Sequence, residues 1–575
     1  MRKDLYRMHF VLLGVILLVS GWVVGCAQEA APTPTKPGVV ATPTPVTTPP
    51  VATGVKSGTV TELVSAKGSG LFDPSRTDEI GLEYTRMLHA VLMEGTGTRG
   101  GVIPGIAESW ELSPDFKTWT FTIRDGVKAH NGEEINVDDV YGNLEDRYGV
   151  KGKSRIAAGG IQGTTATTAN GTQSVEKVAP DKVRMTMKEP RPDLAFFLSG
   201  AGYGAYGFIM PMDYWNQVGQ DGYEAKPVGA GPFKVVSFIP QQEIVLERFD
   251  DYYYQPKNGF PEDRRPKFTR LVQKLVPEPA TRVAALQAGQ ADLIQANLFM
   301  LKDIEKAGGK VIYTEESLYP RMMFIDCWKP ELWCYKKEVR QALEYAIDKE
   351  TLVKQLYGPE IAVVKGWNYV TPNAMGYLPG VTDPYPYDVK KAKELLAQAG
   401  FPDGKGMPVI AMYTWQADAL PLMPELSVAI AAGWKKQLGL QVEVVVGDQT
   451  SIKQRRDERK LPGTIQFGAN ETRYDGLGIT RSGYYTPTAS TRVCDPVVPE
   501  CVAIAKLVGE KMLQPADPAT LFKNYQEVYT VLRDDSRQSG IFTLNSPWGL
   551  GPRVKDYKPW PLMAYTPAIW TLELK

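Results

Sequence analysis

IPGIAESWELSPDFKTWTFTIRDGVKAHNGEEINVDDV, residues 103–140, is the stretch on which the reading of this chain turns. Trp110 and Leu112 lie on one short strand. Ser113-Pro114-Asp115 is a turn, because Pro presets φ while Ser and Asp side chains bond to nearby backbone. TWTFTIR then alternates polar with apolar residues, the period of a strand with one buried face. Asp125-Gly126 and Asn131-Gly132 mark two further turns. Val137-Asp138-Asp139-Val140 opens a helix, with acidic side chains at its positive end.

The same signals continue outward. Upstream, SGTVTELVSAKG is a strand, and residues 78–93 are predicted helical, with Leu82, Met87, Leu88 and Val91 on one side. Downstream, residues 151–174 are rich in Gly, Thr and Ala and read as an exposed insertion. VEKVAPDKVRMTMKEP is a pair of strands. PVGAGPFKVVSF and EIVLERF are two more, preceded by a Gly/Pro loop, and TRVAALQAGQADL is a short helix stopped near Gly289. Residues 337–357 carry apolar side chains at three- and four-residue steps, a helical period, as do 389–399 and 426–438, with Gly400 and Gly439 as stops. PVIAMYTW and LQVEVVVG are strands between them, 522–533 is a late helix, and IWTLEL is a short final return. Alternating strands and helices make the second half α/β.

The opening residues are of another kind. Arg2, Lys3 and Arg7 precede an apolar run at 10–24, too short for a bilayer span of about 20 residues and suited to a signal-peptide core. The run ends in Val23-Val24-Gly25-Cys26, which resembles a bacterial lipobox with Cys26 as the lipidated residue. Residues 1–26 are therefore expected to be a lipoprotein signal peptide. Residues 27–56 hold seven Pro and seven Thr and are expected to be an extended tether. The remainder then lies outside the cytoplasm, lipid-anchored to the outer face of the cell membrane.

Four further cysteines, Cys327, Cys334, Cys494 and Cys501, allow three pairings. Two local bridges are the expectation in an exported chain. A metal site is the rival, opposed by spacing that is not Cys-x-x-Cys and by only two histidines, His89 and His130, beyond the leader. The 65 basic and 65 acidic residues balance, which disfavours a nucleic-acid binder. No Gly-x-Ser-x-Gly or His-Glu-x-x-His motif is present, and no full phosphate loop, so an enzyme is not expected.

Four stretches, AESWELSPDFKTWTFTIRDGVKAHNGEEINVDDV, PVGAGPFKVVSF, RVAALQAGQADL and VRQALEYAIDKETLVKQLYG with the following YDVKKAKELLAQAGFPDG, together resemble the extracytoplasmic solute-binding proteins of family 5, the peptide- and nickel-binding group. The resemblance implies an α/β, two-lobed periplasmic-binding-protein-like fold (type II) with an extra β-rich subdomain. Lobe one is expected in 57–97, 209–319 and 545–575, the subdomain in 98–208 and lobe two in 320–544, with RMMFIDCW near a crossing between lobes. It also implies a monomeric receptor of an ABC importer that closes on a peptide-like solute and delivers it to permease subunits with their ATPases, with no cofactor and no resident metal. A sugar, opine or metal chelate as ligand, or a secreted sensor or hydrolase, are the alternatives.

Peptide-binding members commonly pair the ligand's amino group with an Asp in a Trp- and Asp-rich stretch of lobe two. The corresponding FGANETRYDGLGITRSGYYTP departs from that pattern, lacking Trp and Asp-Pro. Glu471 and Asp475 are candidate partners for an amine, Arg473 for a carboxylate. Tyr84, Tyr203, Trp367, Trp415 and Tyr474 are candidate aromatic contacts, each weighed against a plain core role.

Overall fold

The computed structural model describes residues 58–66, 72–75, 82–95, 101–148, 171–192, 194–200, 207–368, 370–416, 422–472, 476–485, 493–495, 498–514, 518–559 and 569–575. The leader, Cys26 and the tether lie outside them.

The hairpin read from residues 103–140 forms as Ala107–Leu112 against Thr118–Ile123, antiparallel, with Trp110 opposite Phe121. Trp119, Phe121 and Ile123 alternate into a buried cluster while their neighbours stay partly exposed, the outcome that period two demands. Strands Thr172–Ala179 and Lys182–Met187 extend this to a four-stranded sheet. The helix Val137–Tyr148 packs on it. Its start is held by Asn136, whose Oδ1 accepts from the Asp138 N–H at 2.7 Å, while the Asp139 carboxylate reaches back to the Asn136 N–H at 2.9 Å. This reciprocal arrangement satisfies donors that a helix start leaves free.

A second, much larger sheet runs in the order Phe233–Ile239, Glu243–Arg248, Arg270–Leu275, Thr59–Val64, Leu293–Gln295, Thr543–Leu550, Lys310–Phe324, Ile465–Glu471, Ile410–Thr414, Val442–Val446. Thr59–Val64 is parallel to both of its neighbours, and Ile410–Thr414 is parallel to both of its own. Between these two parallel triplets the long strands pair antiparallel. One half of the sheet buries Val60, Leu271, Leu293 and Trp548; the other buries Ile410, Met412, Ile465 and Phe467 against helices Val389–Gln398 and Met423–Leu438. Gly439, at φ 73°, closes the second of these helices, as its place after the apolar run predicts.

Two predicted helices depart from expectation, one ending early and one broken in the middle. Of the helix expected at 78–93, residues 78–81 lie outside the described residues, and Leu82–Leu88 ends early because Ala90–Val91 is taken up as a strand by Phe208–Ile209. The run at 337–357 is interrupted after Tyr345: Asp348 accepts from the Thr351 N–H at 3.1 Å and restarts it at Lys349–Leu352, from which it continues as a π-helix to Tyr357. In the first case a distant strand overrides local periodicity. In the second an N-cap interrupts it.

Candidate functional site

The strand Lys310–Phe324 changes partners along its length. Lys310–Thr314 pairs with Ser546–Leu550, whereas Leu318–Phe324 pairs with Ile465–Glu471 and, on its other edge, Arg321–Met323 pairs with Gln538–Gly540. The register slips between Thr314 and Leu318, and inside that slip Glu316 has φ 50°, a backbone state uncommon for a residue with a Cβ.

Such a bend needs outside support, and polar groups from three other segments supply it. The Glu316 N–H donates to Asn545 Oδ1 at 2.8 Å, and its carboxylate accepts from the Asn373 N–H at 3.3 Å and side-chain amide at 3.1 Å. Thr472 donates its hydroxyl to the Glu316 carbonyl and its N–H to the Ser317 carbonyl. The Ser317 and Ser546 hydroxyls meet at 2.7 Å. Burial pushes the Glu316 carboxyl above its ordinary pKa, and the Thr371 hydroxyl and the Asn373 bonds oppose that shift.

Beside this knot is a tight turn in which Trp367 and Val370 exchange both backbone hydrogen bonds, at 3.1 and 3.0 Å, with Asn368 at φ 56°. Gly540 makes the turn possible, since a Cβ there would lie 2.5 Å from the Asn368 nitrogen. Trp367 and Trp415 belong to one buried cluster with Tyr319, Tyr484, Tyr525 and Tyr529. Trp415 lies over Gly468, where a Cβ would be 2.3 Å from its ring. Within this aromatic setting the indole N–H of Trp367 and both amide atoms of Asn368 are buried and find no hydrogen-bond partner among the described residues. Each such group costs about 1–3 kcal/mol. A concentration of them is where added donors and acceptors would gain most.

Of the residues singled out in the sequence, Trp367 and Trp415 thus come together. Tyr84 does not join them: it is 1% exposed and packs with Phe72 and Phe238 in the core of the other half of the sheet. Residue 471 ends its strand with its backbone opposite Leu318, next to the bend. Tyr203, Arg473, Tyr474 and Asp475 lie outside the described residues. Cys327 is joined to Cys334 and Cys494 to Cys501, each pair with Cα atoms 5.3 Å apart. The expectation missed Glu316, Asn368, Asn373, Thr472 and Asn545. Only Glu315-Glu316, an acidic pair interrupting the apolar run VIY…LY, signals that a strand is disturbed there.

A separate cavity of about 30 Å³ is lined by Arg86, His89, Glu94, Tyr252, Arg264 and Trp570 among others. It has room for about one water, far below the size of a small-molecule site. Its polar groups are internally matched: Glu94 accepts from Tyr253 at 2.9 Å and faces Arg264 at 3.3 Å. Among the described residues no group of three His, Cys, Asp or Glu is placed to hold a metal ion, and no helix is long and apolar enough to cross a membrane.

Residues 101–475 match the family model described as bacterial extracellular solute-binding proteins, family 5 middle. The chain is 29% identical over 391 residues to heme-binding protein A of Haemophilus influenzae, covering 64% of this chain and 65% of that one. It is 28% identical over 368 residues to the dipeptide-binding protein of Escherichia coli, covering 60% and 63%. Both matches span just under two thirds of the relative's length. The crystal structure of the ABC transporter substrate-binding protein CtaP from Listeria monocytogenes superposes with a TM-score of 0.72 over 90% of this chain and 100% of that one, at 21% identity. That likeness shows the fold, the two-lobed α/β arrangement expected above.

Proposed function

Because the chain belongs to the bacterial extracellular solute-binding proteins of family 5, we propose that it captures a small solute outside the cell membrane and passes it, chemically unchanged, to the permease of an ABC importer. The observation that carries this reading is the strand Lys310–Phe324, which runs through both halves of one sheet and changes partners at the tied bend around Glu316. Two halves joined this way can rotate about a few backbone dihedrals. A solute that touches both halves shifts the equilibrium toward the closed form.

On this reading 57–97, 209–319 and 545–575 form one lobe, 98–208 the accessory subdomain and 320–544 the other lobe. Cys26 carries the lipid, and 27–56 tether a monomeric receptor to the membrane's outer face. A peptide-like solute is favoured by the dipeptide-binding relative and by the uncharged donors and acceptors of Trp367 and Asn368 among aromatic rings. The name of the Haemophilus relative supports heme as the second candidate. The chain performs no turnover.

Calorimetric titration with di- and tripeptides, sugars, opines, metal chelates and hemin, paired with X-ray scattering, tests this. Peptides should release heat, reduce the radius of gyration and be recovered intact. Heat from hemin alone would replace the peptide assignment. Silence from every solute, or cleavage of the bound peptide, would overturn the capture reading itself.

A further inference from the structure

The two disulfides sit in opposite electrostatic surroundings. Beside Cys494–Cys501 is the guanidinium of Arg537, with Nη1 at 2.9 Å from Cys494 Sγ and 3.5 Å from Cys501 Sγ. Arg537 is buried, and so are both cysteines. Its charge is only partly balanced by Asp535, at 3.1 Å, because that carboxylate is shared with the buried Arg340 at 3.3 Å. Cys501 also lies in the first turn of the 13-residue helix Pro499–Lys511, the end that favours negative charge. Asp495 and Glu500 adjoin the cysteines in sequence and oppose this. At Cys327–Cys334 the recorded neighbour of Cys327 Sγ is the Ile325 carbonyl oxygen, at 3.6 Å, and Arg340 is spent on the Cys334 carbonyl at 2.7 Å. A carbonyl dipole repels a thiolate where a guanidinium holds one.

We propose that Cys494–Cys501 is a redox-active disulfide, with Arg537 holding the Cys494 thiolate that its reduction releases, and that Cys327–Cys334 is structural. In the exchange with a dithiol reductant, local opening first exposes the buried pair, and one reductant thiolate then attacks Cys501 Sγ. The S–S bond breaks and its electron pair leaves on Cys494 Sγ, beside Arg537. The second reductant thiol then displaces Cys501 from the mixed disulfide and gives it a proton. The products are the oxidised cyclic reductant, a Cys501 thiol and a Cys494 thiolate, with overall charge unchanged from the attacking monothiolate.

The pair is placed where its state reaches the crossing strand. The carbonyl of Arg537 accepts from the Phe324 N–H at 3.0 Å, and the strand that follows, Gln538–Gly540, pairs with Arg321–Met323. This inference does not depend on which solute is bound.

The test is equilibration of the exported protein with mixtures of reduced and oxidised dithiothreitol at pH 7, followed by acid quench, alkylation and mass mapping of both pairs from one tube. Cys494–Cys501 should be half reduced at a reduced-to-oxidised ratio about tenfold lower than Cys327–Cys334 requires. Arg537→Gln should abolish the difference and Arg537→Lys should keep most of it. In the reduced wild type, alkylation of Cys494 should persist to lower pH than alkylation of Cys327. Coincident reduction of the two pairs, or earlier reduction of Cys327–Cys334, overturns the proposal on the wild type alone, whether or not Arg537→Gln folds. A difference that survives in folded Arg537→Gln overturns the role of Arg537.

Discussion

The carboxylate of Glu316 is gripped twice by Asn373, by its backbone N–H at 3.3 Å and by its side-chain amide at 3.1 Å, at the point where the strand Lys310–Phe324 changes partners. The pair fastens a positive-φ residue on one long strand to a segment 57 residues away. That makes it the strut of the bend about which closure is proposed.

Asn373→Ala should lower stability by about 1 kcal/mol, a value reduced for the partial exposure of Glu316. Glu316→Gly keeps the backbone state available but removes the carboxylate, so it should cost a similar amount, and the two together should cost less than their sum. Urea unfolding of the four proteins measures this. Strict additivity would mean that the two side chains do not act on each other.

Asn368 carries two buried amide atoms with no partner among the described residues, at φ 56°. Asn368→Gly removes both and accepts the backbone state. Stability should therefore hold or rise by up to about 1 kcal/mol, while affinity for the captured solute falls about tenfold. Unfolding and calorimetry on one preparation separate the two effects. A loss of stability with unchanged affinity would make Asn368 a purely structural residue.

His89 lies between the Thr85 carbonyl, 3.1 Å from Nδ1, and the Tyr223 hydroxyl, 2.6 Å from Nε2, and burial lowers its pKa from 6.5 to about 3. The folded state thus binds fewer protons than the unfolded state between those values. Stability from this group is present above pH 6.5 and is lost as pH falls toward 3, by up to about 1.4 kcal/mol per pH unit. In His89→Gln the slope of stability against pH over pH 6.5 to 4 should shrink by a comparable amount. An unchanged slope would show that other groups carry the acid sensitivity.

Local patterns were legible in the chain itself wherever one face of an element alternates against a core. Thr118–Ile123 with its buried Trp119, Phe121 and Ile123, the Asn136-capped helix and the Gly439 stop all follow from residues within a few positions of one another. Enough of these stand in order to assign the family, whose model matches residues 101–475. Local signals fail where the deciding partner is remote. Ala90–Val91 reads as helix until Phe208–Ile209 pairs with it. Glu316, Asn373, Thr472 and Asn545 are unremarkable polar residues in four separate stretches, and only folding brings them to one bend. Periodicity, caps and turns are nearest-neighbour energetics and can be read from order alone. The bend and the partnerless Asn368 arise from contacts between segments far apart in the chain, so three-dimensional packing alone decided them.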